Sequence, residues 1–425
     1  MIEPMVRSAP RHRTFSRPVA WLLLLGVATI GLVICYPRYQ ARGHWRAAQT
    51  AIEKEDFESA RAHLALFERM RPEQPACLFQ LARLARREGD YRTARAFLAK
   101  ADAAGHPAPQ IRLEERLTRI QQSGWDGTDA ELAELLEAGS DDEARIREVL
   151  AIAYYRSFLL PAALEQANRW AEVEPGSASA WLLLGDIYYR LLDQSGASQS
   201  YLAAIERNPA LVRARIGYGR VLLHMRRTAD ALTEFQEAWR LNPRDRDARL
   251  ELIQALLQLN RIDEADSIVI TLVVEFPLDP AVLGIAGSVA FEAGRLEEAE
   301  QCLRHATADK PDMATLIQFQ HVLARRGKRK DAESVQLRID RVKQDLDRVD
   351  AVTRTIRTSG DPAPRVEVGL ILIRNGLHRE GEAWLHDALR CDPQYGPAHA
   401  ALADYYAARG QTDQAMHHRQ LAGMP

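Results

Sequence analysis

The sequence predicts an all-α protein, a solenoid of helix–turn–helix units, and the prediction depends on two ladders of residues with one spacing. An alanine that would open the second helix of each unit recurs every 34 residues, and a proline that would end that helix recurs in phase with it. The ladders consist of Ala163, Ala197, Ala231, Ala265 and Ala299, and of Pro175, Pro209, Pro243, Pro277 and Pro311. A fixed period of this length indicates stacked units that contact only their neighbours.

The stretch 178–211 shows what one unit contains. Its aromatic, small and helix-breaking residues are Trp181, Leu184, Gly185, Tyr188, Ala197, Tyr201, Ala204 and Pro209. The large apolar residues of the first helix are three and four positions apart, so they share one face. Gly185 and Ala197 are small where two helices approach closely, and Pro209 cannot continue the second helix. This pattern resembles a tetratricopeptide repeat, which implies a right-handed superhelix with the first helix of each unit on its concave side.

The same register divides the rest of the chain, and it continues at Ala60, Ala94, Ala332, Gly381 and Ala415. Residues 41–338 then hold about nine repeats, of which the third, over 109–143, is degenerate. Residues 339–361 exceed one repeat and predict an extended helix followed by a break. Residues 362–425 hold two further repeats.

The extended helix carries apolar residues at heptad-like spacing, namely Ile339, Val342, Leu346, Val349 and Ile356. One interpretation is a second helix that simply continues for about four more turns and packs within the chain. The other is an exposed apolar seam over 339–358 that docks a partner or a second copy. The sequence leaves both open.

The N-terminus predicts a membrane anchor. Residues 1–17 form a basic tail, expected to be disordered, and residues 18–36 hold no charged side chain over nineteen positions. As a helix this stretch is about 28 Å long, close to the hydrocarbon thickness of a bilayer. The prediction is a transmembrane signal anchor. The alternatives are a cleaved signal peptide, with Gly26 and Ala28 as small residues before the cut, and a lipoprotein signal that uses Cys35.

The basic tail also sets the expected orientation. Arginines at 7, 11, 13 and 17 precede the apolar stretch, and a short basic leader usually stays in the cytoplasm. We therefore expect a single-pass protein of the inner, or cytoplasmic, membrane with its repeats on the outer or periplasmic side. The absence of an N-glycosylation sequon points weakly to a bacterial source.

Charge and chemistry exclude several classes of function. The net charge is −2, and the tail contributes +3, so the remainder carries −5 and offers no global basic surface for nucleic acid. The phosphate-binding, zinc-protease and serine-hydrolase motifs are missing, so we expect no enzyme and no cofactor. Cys302 and His305 supply only two ligands, where structural zinc takes four, so no metal site is predicted.

The tetratricopeptide resemblance implies which side chains face the concave surface. Counted from 144, 178 and 212, these are Arg145, Tyr155, Arg156, Asp186, Tyr189, Arg190, Arg213, Arg220 and His224. Arginine forks bind carboxylates through two hydrogen bonds, and tyrosines add flat contact area. The residues predict a locally basic groove for an extended peptide or an acidic tail. The alternative is an ordinary solvated helix face.

Together these features predict a membrane-anchored scaffold for a protein or peptide partner, and a lipid bilayer as the partner of residues 18–36. The expected partners are exported or envelope proteins, in assembly, secretion or the organisation of a complex. A scaffold that associates with itself through 339–358 is the alternative, and a region accessory to an enzyme is the least favoured reading. Neither the partner's identity nor the oligomeric state follows from these residues.

Overall fold

A computed structural model describes residues 36, 38–123, 136, 142–308, 313–356 and 360–423. These residues form α-helices and turns, without a strand among them. The basic tail and all but the last residue of the apolar stretch 18–36 lie outside this part of the chain, and so does the predicted anchor. None of the described helices has both the length and the apolar character that crossing a bilayer requires.

The chain divides into two compact units between Gln122 and Ser123. The helices of the first are α1 (38–53), α2 (Phe57–Met70), α3 (Pro75–Arg87), α4 (Tyr91–Ala103) and α5 (Ala108–Ser123). Leu64 and Cys77 are fully buried in its core. A buried ion pair joins α3 to α5, because Arg86 Nε donates to Glu114 Oε1 at 2.6 Å and both side chains are fully shielded from solvent. Most of the remaining degenerate repeat falls outside the described residues.

The second unit continues the helix pairs through the rest of the chain. Its helices are α6 (Glu143–Arg156), α7 (Leu160–Val173), α8 (Ala178–Arg190), α9 (Gln194–Arg207), α10 (Val212–His224), α11 (Thr228–Leu241), α12 (Arg246–Gln258), α13 (Ile262–Glu275), α14 (Pro280–Glu292), α15 (Leu296–Ala306), α16 (Met313–Arg325), α17 (Arg329–Ile356), α18 (Ala363–Arg374), α19 (His378–Cys391), α20 (Gly396–Ala408) and α21 (Thr412–Leu421). Each helix packs against the next, and first helices of successive repeats also touch. The predicted alternation of short helices is confirmed.

The small residues of the ladder lie where helices approach. All five alanines from Ala163 to Ala299 are completely buried. A Cβ atom added to Gly185 would lie 2.5 Å from Cδ1 of Tyr201, well inside van der Waals contact. Only small residues let two helices approach this closely, which gives the 34-residue ladder its physical reason.

The turn between the two helices of a repeat contains a residue in the left-handed backbone region. In four consecutive repeats this residue is Phe158, Leu192, Arg226 or Asn260, with φ between 57° and 61°. In the next repeat it is Gly294, with φ of 78°. L-residues adopt this conformation at a cost of about 1–2 kcal/mol, whereas glycine adopts it readily.

The extended helix α17 is continuous over 28 residues, and its apolar seam is largely covered by the chain itself. Ile339 and Val342 are buried in a cluster with residues of α15 and α16. Val349 packs in a second cluster with Val368 and Leu372 of α18. Leu346 keeps 39% of its surface exposed. The expectation of a bare docking seam is therefore wrong, because α18 packs back onto the helix; the side chain of Ile356 lies outside the described residues.

Candidate functional site

The second unit contains a recess of about 300 Å³ formed by the first helices of neighbouring repeats. Its lining residues are Tyr155, Asp186, Tyr189, Arg190, Tyr201, Arg213, Ile216, Gly217, Arg220 and Asp247. Six of the nine residues predicted from the sequence belong to this lining. The helices α6, α8, α10 and α12 supply them because their spacing of one repeat brings equivalent helix faces side by side.

Three predicted residues lie elsewhere. His224 is exposed beside the recess, where its Nε2 lies 2.9 Å from the Tyr189 hydroxyl. Arg145 forms an ion pair with Asp142 at the start of its own helix. Arg156 is exposed and does not belong to the lining. The structure thus brings the predicted residues of α8 and α10 together with Tyr155 and leaves Arg145 and Arg156 outside the recess.

Tyr201 reaches the recess from α9, a second helix, through a slot made by two glycines. Cβ atoms added to Gly185 and to Gly217 would each lie 2.5 Å from the Tyr201 ring. The ring therefore passes between α8 and α10 only because both positions lack a side chain. Its hydroxyl donates a hydrogen bond of 2.8 Å to Oδ1 of Asp186.

Asp186 connects this tyrosine to an arginine of the next repeat. Its Oδ2 accepts a hydrogen bond of 3.2 Å from Nη2 of Arg213. Burial raises the pKa of Asp186, while the charge of Arg213 and the Tyr201 hydrogen bond oppose that rise. The carboxylate is 20% exposed and Arg213 is 71% exposed, so the ion pair lies at the solvent side of the recess.

A second arginine of the recess is also paired. Nε of Arg220 donates to Oε1 of Glu251 at 2.7 Å, and Asp247 adds a further carboxylate to the lining. The expected locally basic groove is therefore corrected: carboxylates from the same and the following repeats neutralise Arg213 and Arg220. Asp247 and Glu251 belong to α12, about one repeat after the arginines.

Arg190 differs from the other two arginines. Its guanidinium carbon lies 4.3 Å from the centre of the Tyr155 ring and 4.5 Å from that of Phe158. Within the described part of the chain it forms no ion pair, and its side chain is exposed. Stacking on aromatic rings leaves the edge of a guanidinium available for hydrogen bonds. Arg190 is thus the cation of the recess that can receive an anionic group without breaking an ion pair.

Sequence reasoning missed four lining residues: Tyr201, Ile216, Gly217 and Asp247. Tyr201 was recognised as the aromatic residue of its repeat, and such a position predicts a core side chain rather than one whose hydroxyl enters a recess. A second glycine in α10, two residues before Gly219, was a signal of close approach. Metal chemistry finds no support in the described residues, which hold no group of three histidine, cysteine or acidic side chains placed to bind an ion.

Comparison with known proteins identifies the repeats. Two models of the tetratricopeptide repeat match residues 182–245 and 222–289. The comparison with curated protein sequences gives no match. Among solved structures, the type IV pilus biogenesis factor PilW is similar with 18% identity and a TM-score of 0.43, over 47% of this chain and 93% of that one.

Two further structures show similarity of the same order. The pilF protein of Pseudomonas aeruginosa has 19% identity and a TM-score of 0.42, over 48% of this chain and 93% of its own. A tetratricopeptide repeat protein from Parabacteroides merdae has 16% identity and a TM-score of 0.36, over 67% of this chain and 99% of its own.

Proposed function

The chain carries tetratricopeptide repeats, and from that premise we propose that it is a scaffold that binds a segment of another protein in the recess of α6, α8, α10 and α12. Tetratricopeptide arrays are typically interaction scaffolds without catalysis. The recess is too small for a folded domain, so the bound element is an extended segment that places one or two side chains in it. The covered seam of α17 gives no support to self-association as the alternative.

The observation that carries this proposal is the presentation of Arg190. Its guanidinium is stacked on Tyr155 and Phe158, and no carboxylate of the described chain neutralises it. Arginine and tyrosine in a partly desolvated pocket are the residue types that dominate binding energies at interfaces. An anionic group of the partner, a side chain or a terminal carboxylate, would accept hydrogen bonds from the exposed edge of Arg190. Tyr189 would pack beside it.

Site-specific crosslinking in the native cells tests this proposal. A photoreactive phenylalanine analogue replaces His224, which is exposed and touches Tyr189, in the full-length chain. The matched control places the same analogue at Leu337 of α17, which is 68% exposed and outside the recess. We expect a protein adduct from position 224 that is absent from position 337. Equal adducts from both positions, or none from 224, would contradict a partner in the recess.

We further propose that residues 18–36 hold the chain in the inner membrane of a bacterium, with the repeats winding as a right-handed superhelix on the outer side. The support is the run of nineteen uncharged residues behind a basic leader. The partner would then be an exported or envelope protein. A reporter enzyme fused after Pro425 should be active only when exported, and carbonate should not extract the protein. Reporter activity in the cytoplasm would overturn the orientation without affecting the recess.

A further inference from the structure

The last helix of the array is held in place by few side chains. Helix α21 has ten residues, and only Ala415 and His418 on it are buried. A helix of this length is marginal in water on its own, so its formation depends on docking. It packs against α20, where Leu402 and Tyr406 share an apolar cluster with Ala415. His418 is thus the largest group that attaches α21 to the rest of the chain.

His418 faces a second buried histidine. Its Nδ1 lies 2.9 Å from Nδ1 of His399 on α20, and the two residues are 9% and 4% exposed. Nε2 of His399 lies 3.0 Å from the carbonyl oxygen of Pro393, which can only accept a hydrogen bond. Nε2 of His399 therefore carries the proton, and its Nδ1 accepts from His418. Two Nδ1 protons would point at each other across the pair, so it is complete when both rings are neutral.

The groups around this pair offer little compensation for a positive charge. His417 lies on the same helix, with its ring centre 5.4 Å from that of His418, and His386 approaches from α19 at 6.2 Å. The Tyr406 ring of α20 stacks at 5.6 Å. Glu382 of α19 is the nearby carboxylate, but its two oxygens accept hydrogen bonds from Tyr406 at 2.7 Å and Tyr405 at 3.2 Å. Arg390 of α19 adds positive charge near His386.

The electrostatics agree with this geometry. Burial, followed by the charges of His386 and other neighbouring histidines, lowers the pKa of His418 to about 4. Burial also lowers the pKa of His386, although Glu382 opposes that shift. A released helix takes up a proton near the ordinary value of 6.5, whereas the docked helix does so only near 4. The docked form is therefore fully favoured above 6.5 and loses stability as the pH falls from 6.5 towards 4.

We propose that the His399–His418 pair is an acid-sensitive latch, which releases α21 from the end of the array when protons bind to it. Release uncovers Leu402 and Tyr406, which are buried while the helix is docked. The latch lies outside the recess, so its operation is independent of the proposed function. It gives the C-terminal end of the chain two states that differ in exposed apolar surface.

Amide hydrogen exchange of the full chain, read by mass spectrometry and corrected for intrinsic rates, tests the latch. Between pH 7.5 and pH 5 the protection of α21 should fall by at least about tenfold, since each unit of pKa difference corresponds to a factor of ten. Protection of α9, in the middle of the array, should stay constant. His418→Leu removes the titrating ring and should keep α21 protected at both pH values. His305→Gln, at an exposed histidine of α15, should leave the wild-type response unchanged.

Constant protection of α21 in the wild type, or the same loss in His418→Leu, would overturn the latch. If His418→Leu does not dock at pH 7.5, titration of the wild-type histidine rings by nuclear magnetic resonance decides. The latch requires that the His418 ring titrates far below its ordinary pKa while α21 is docked. Protonation at the ordinary value with the helix still protected would overturn it as well.

Discussion

The hydroxyl of Tyr201 donates a 2.8 Å hydrogen bond to the carboxylate of Asp186, and in doing so it joins the core of the array to its recess. Tyr201 belongs to a second helix, and its ring is 2% exposed. Asp186 belongs to a first helix and also accepts from Arg213 of the next repeat. The orientation of a charged group at the recess is therefore fixed by core packing between two repeats.

Tyr201→Phe should destabilise the protein while leaving its shape intact. The ring still fills the slot between Gly185 and Gly217, but the buried carboxylate of Asp186 loses a donor. Hydrogen bonds to charged groups contribute about 1.5–3 kcal/mol, and the unfolding free energy from urea titration should fall by that order. Tyr188→Phe is the control, since its hydroxyl has no hydrogen bond within the described residues. Equal effects of the two variants would show that the Asp186 bond contributes nothing.

Arg190→Glu should weaken binding of the partner identified by crosslinking more than tenfold and leave helicity unchanged. The single substitution suffices, because Arg220 already forms an ion pair with Glu251, and reversing its charge would destabilise the fold. Arg329→Glu, at an exposed position of α17, is the control for net charge. Binding measured at low and high salt checks the electrostatic origin. If both variants bind equally well, Arg190 is not the anchor.

Glu114→Gln should cost about 3–5 kcal/mol in the first unit, because it leaves the charge of Arg86 buried without its carboxylate. The amide is nearly isosteric, so packing changes little. The double change of Arg86→Met with Glu114→Leu should cost much less than the single one, since it removes both charges. Hydrogen exchange of α3 and α5 measures the local stability. A single variant as stable as the double would contradict the assignment.

Glu300→Gln should destabilise the array at neutral pH and much less in acid. Burial alone would raise the pKa of Glu300, but hydrogen bonds from Lys328 and Arg304, and the charges of Lys328 and Arg326, lower it to about 2. A lowered carboxyl pKa stabilises the fold above the ordinary value of 4.5, and this stability is lost as the pH falls towards 2.

The expected loss at pH 7 is about 1–2 kcal/mol, because the cationic partners remain partly in water and screening reduces the full value. Urea titrations at pH 7 and pH 3 measure how the difference between variant and wild type shrinks. Glu297→Gln is the matched control, since that carboxylate is 76% exposed and pairs only with Arg326. A pH-independent loss in Glu300→Gln would point to packing instead of charge.

The repeat pattern predicts the helices well because packing imposes it locally. Gly185 contacts Tyr201 16 residues further on, and Ala197 is completely buried within the same repeat. Such contacts recur at every period, so a small residue at a fixed spacing identifies the helix face and the turn. The faces of α8 and α10 that line the recess follow from the same register.

The pairing of charges in the recess could not be predicted in this way. Arg213 meets Asp186, 27 residues earlier, and Arg220 meets Glu251, 31 residues later, so neither partner lies in its own repeat. Which carboxylate reaches which guanidinium depends on rotamers and on the offset between neighbouring helices, and counting charges along the sequence gives neither. The cover that α18 provides for α17 was missed for a similar reason, since heptad spacing does not say which helix buries the seam.

Phe158 shows what a strained turn contributes to an otherwise repetitive molecule. Four consecutive repeats keep a bulky or polar residue at the left-handed position where the following repeat has glycine. Phe158 at this position carries a ring that lies beneath Arg190, and a glycine there would relax the backbone and remove that support. The corners are thus places where individual repeats acquire separate identities. Exchange of one corner residue can alter the neighbouring binding surface while the ladder of buried alanines, and with it the register of the whole array, stays unchanged.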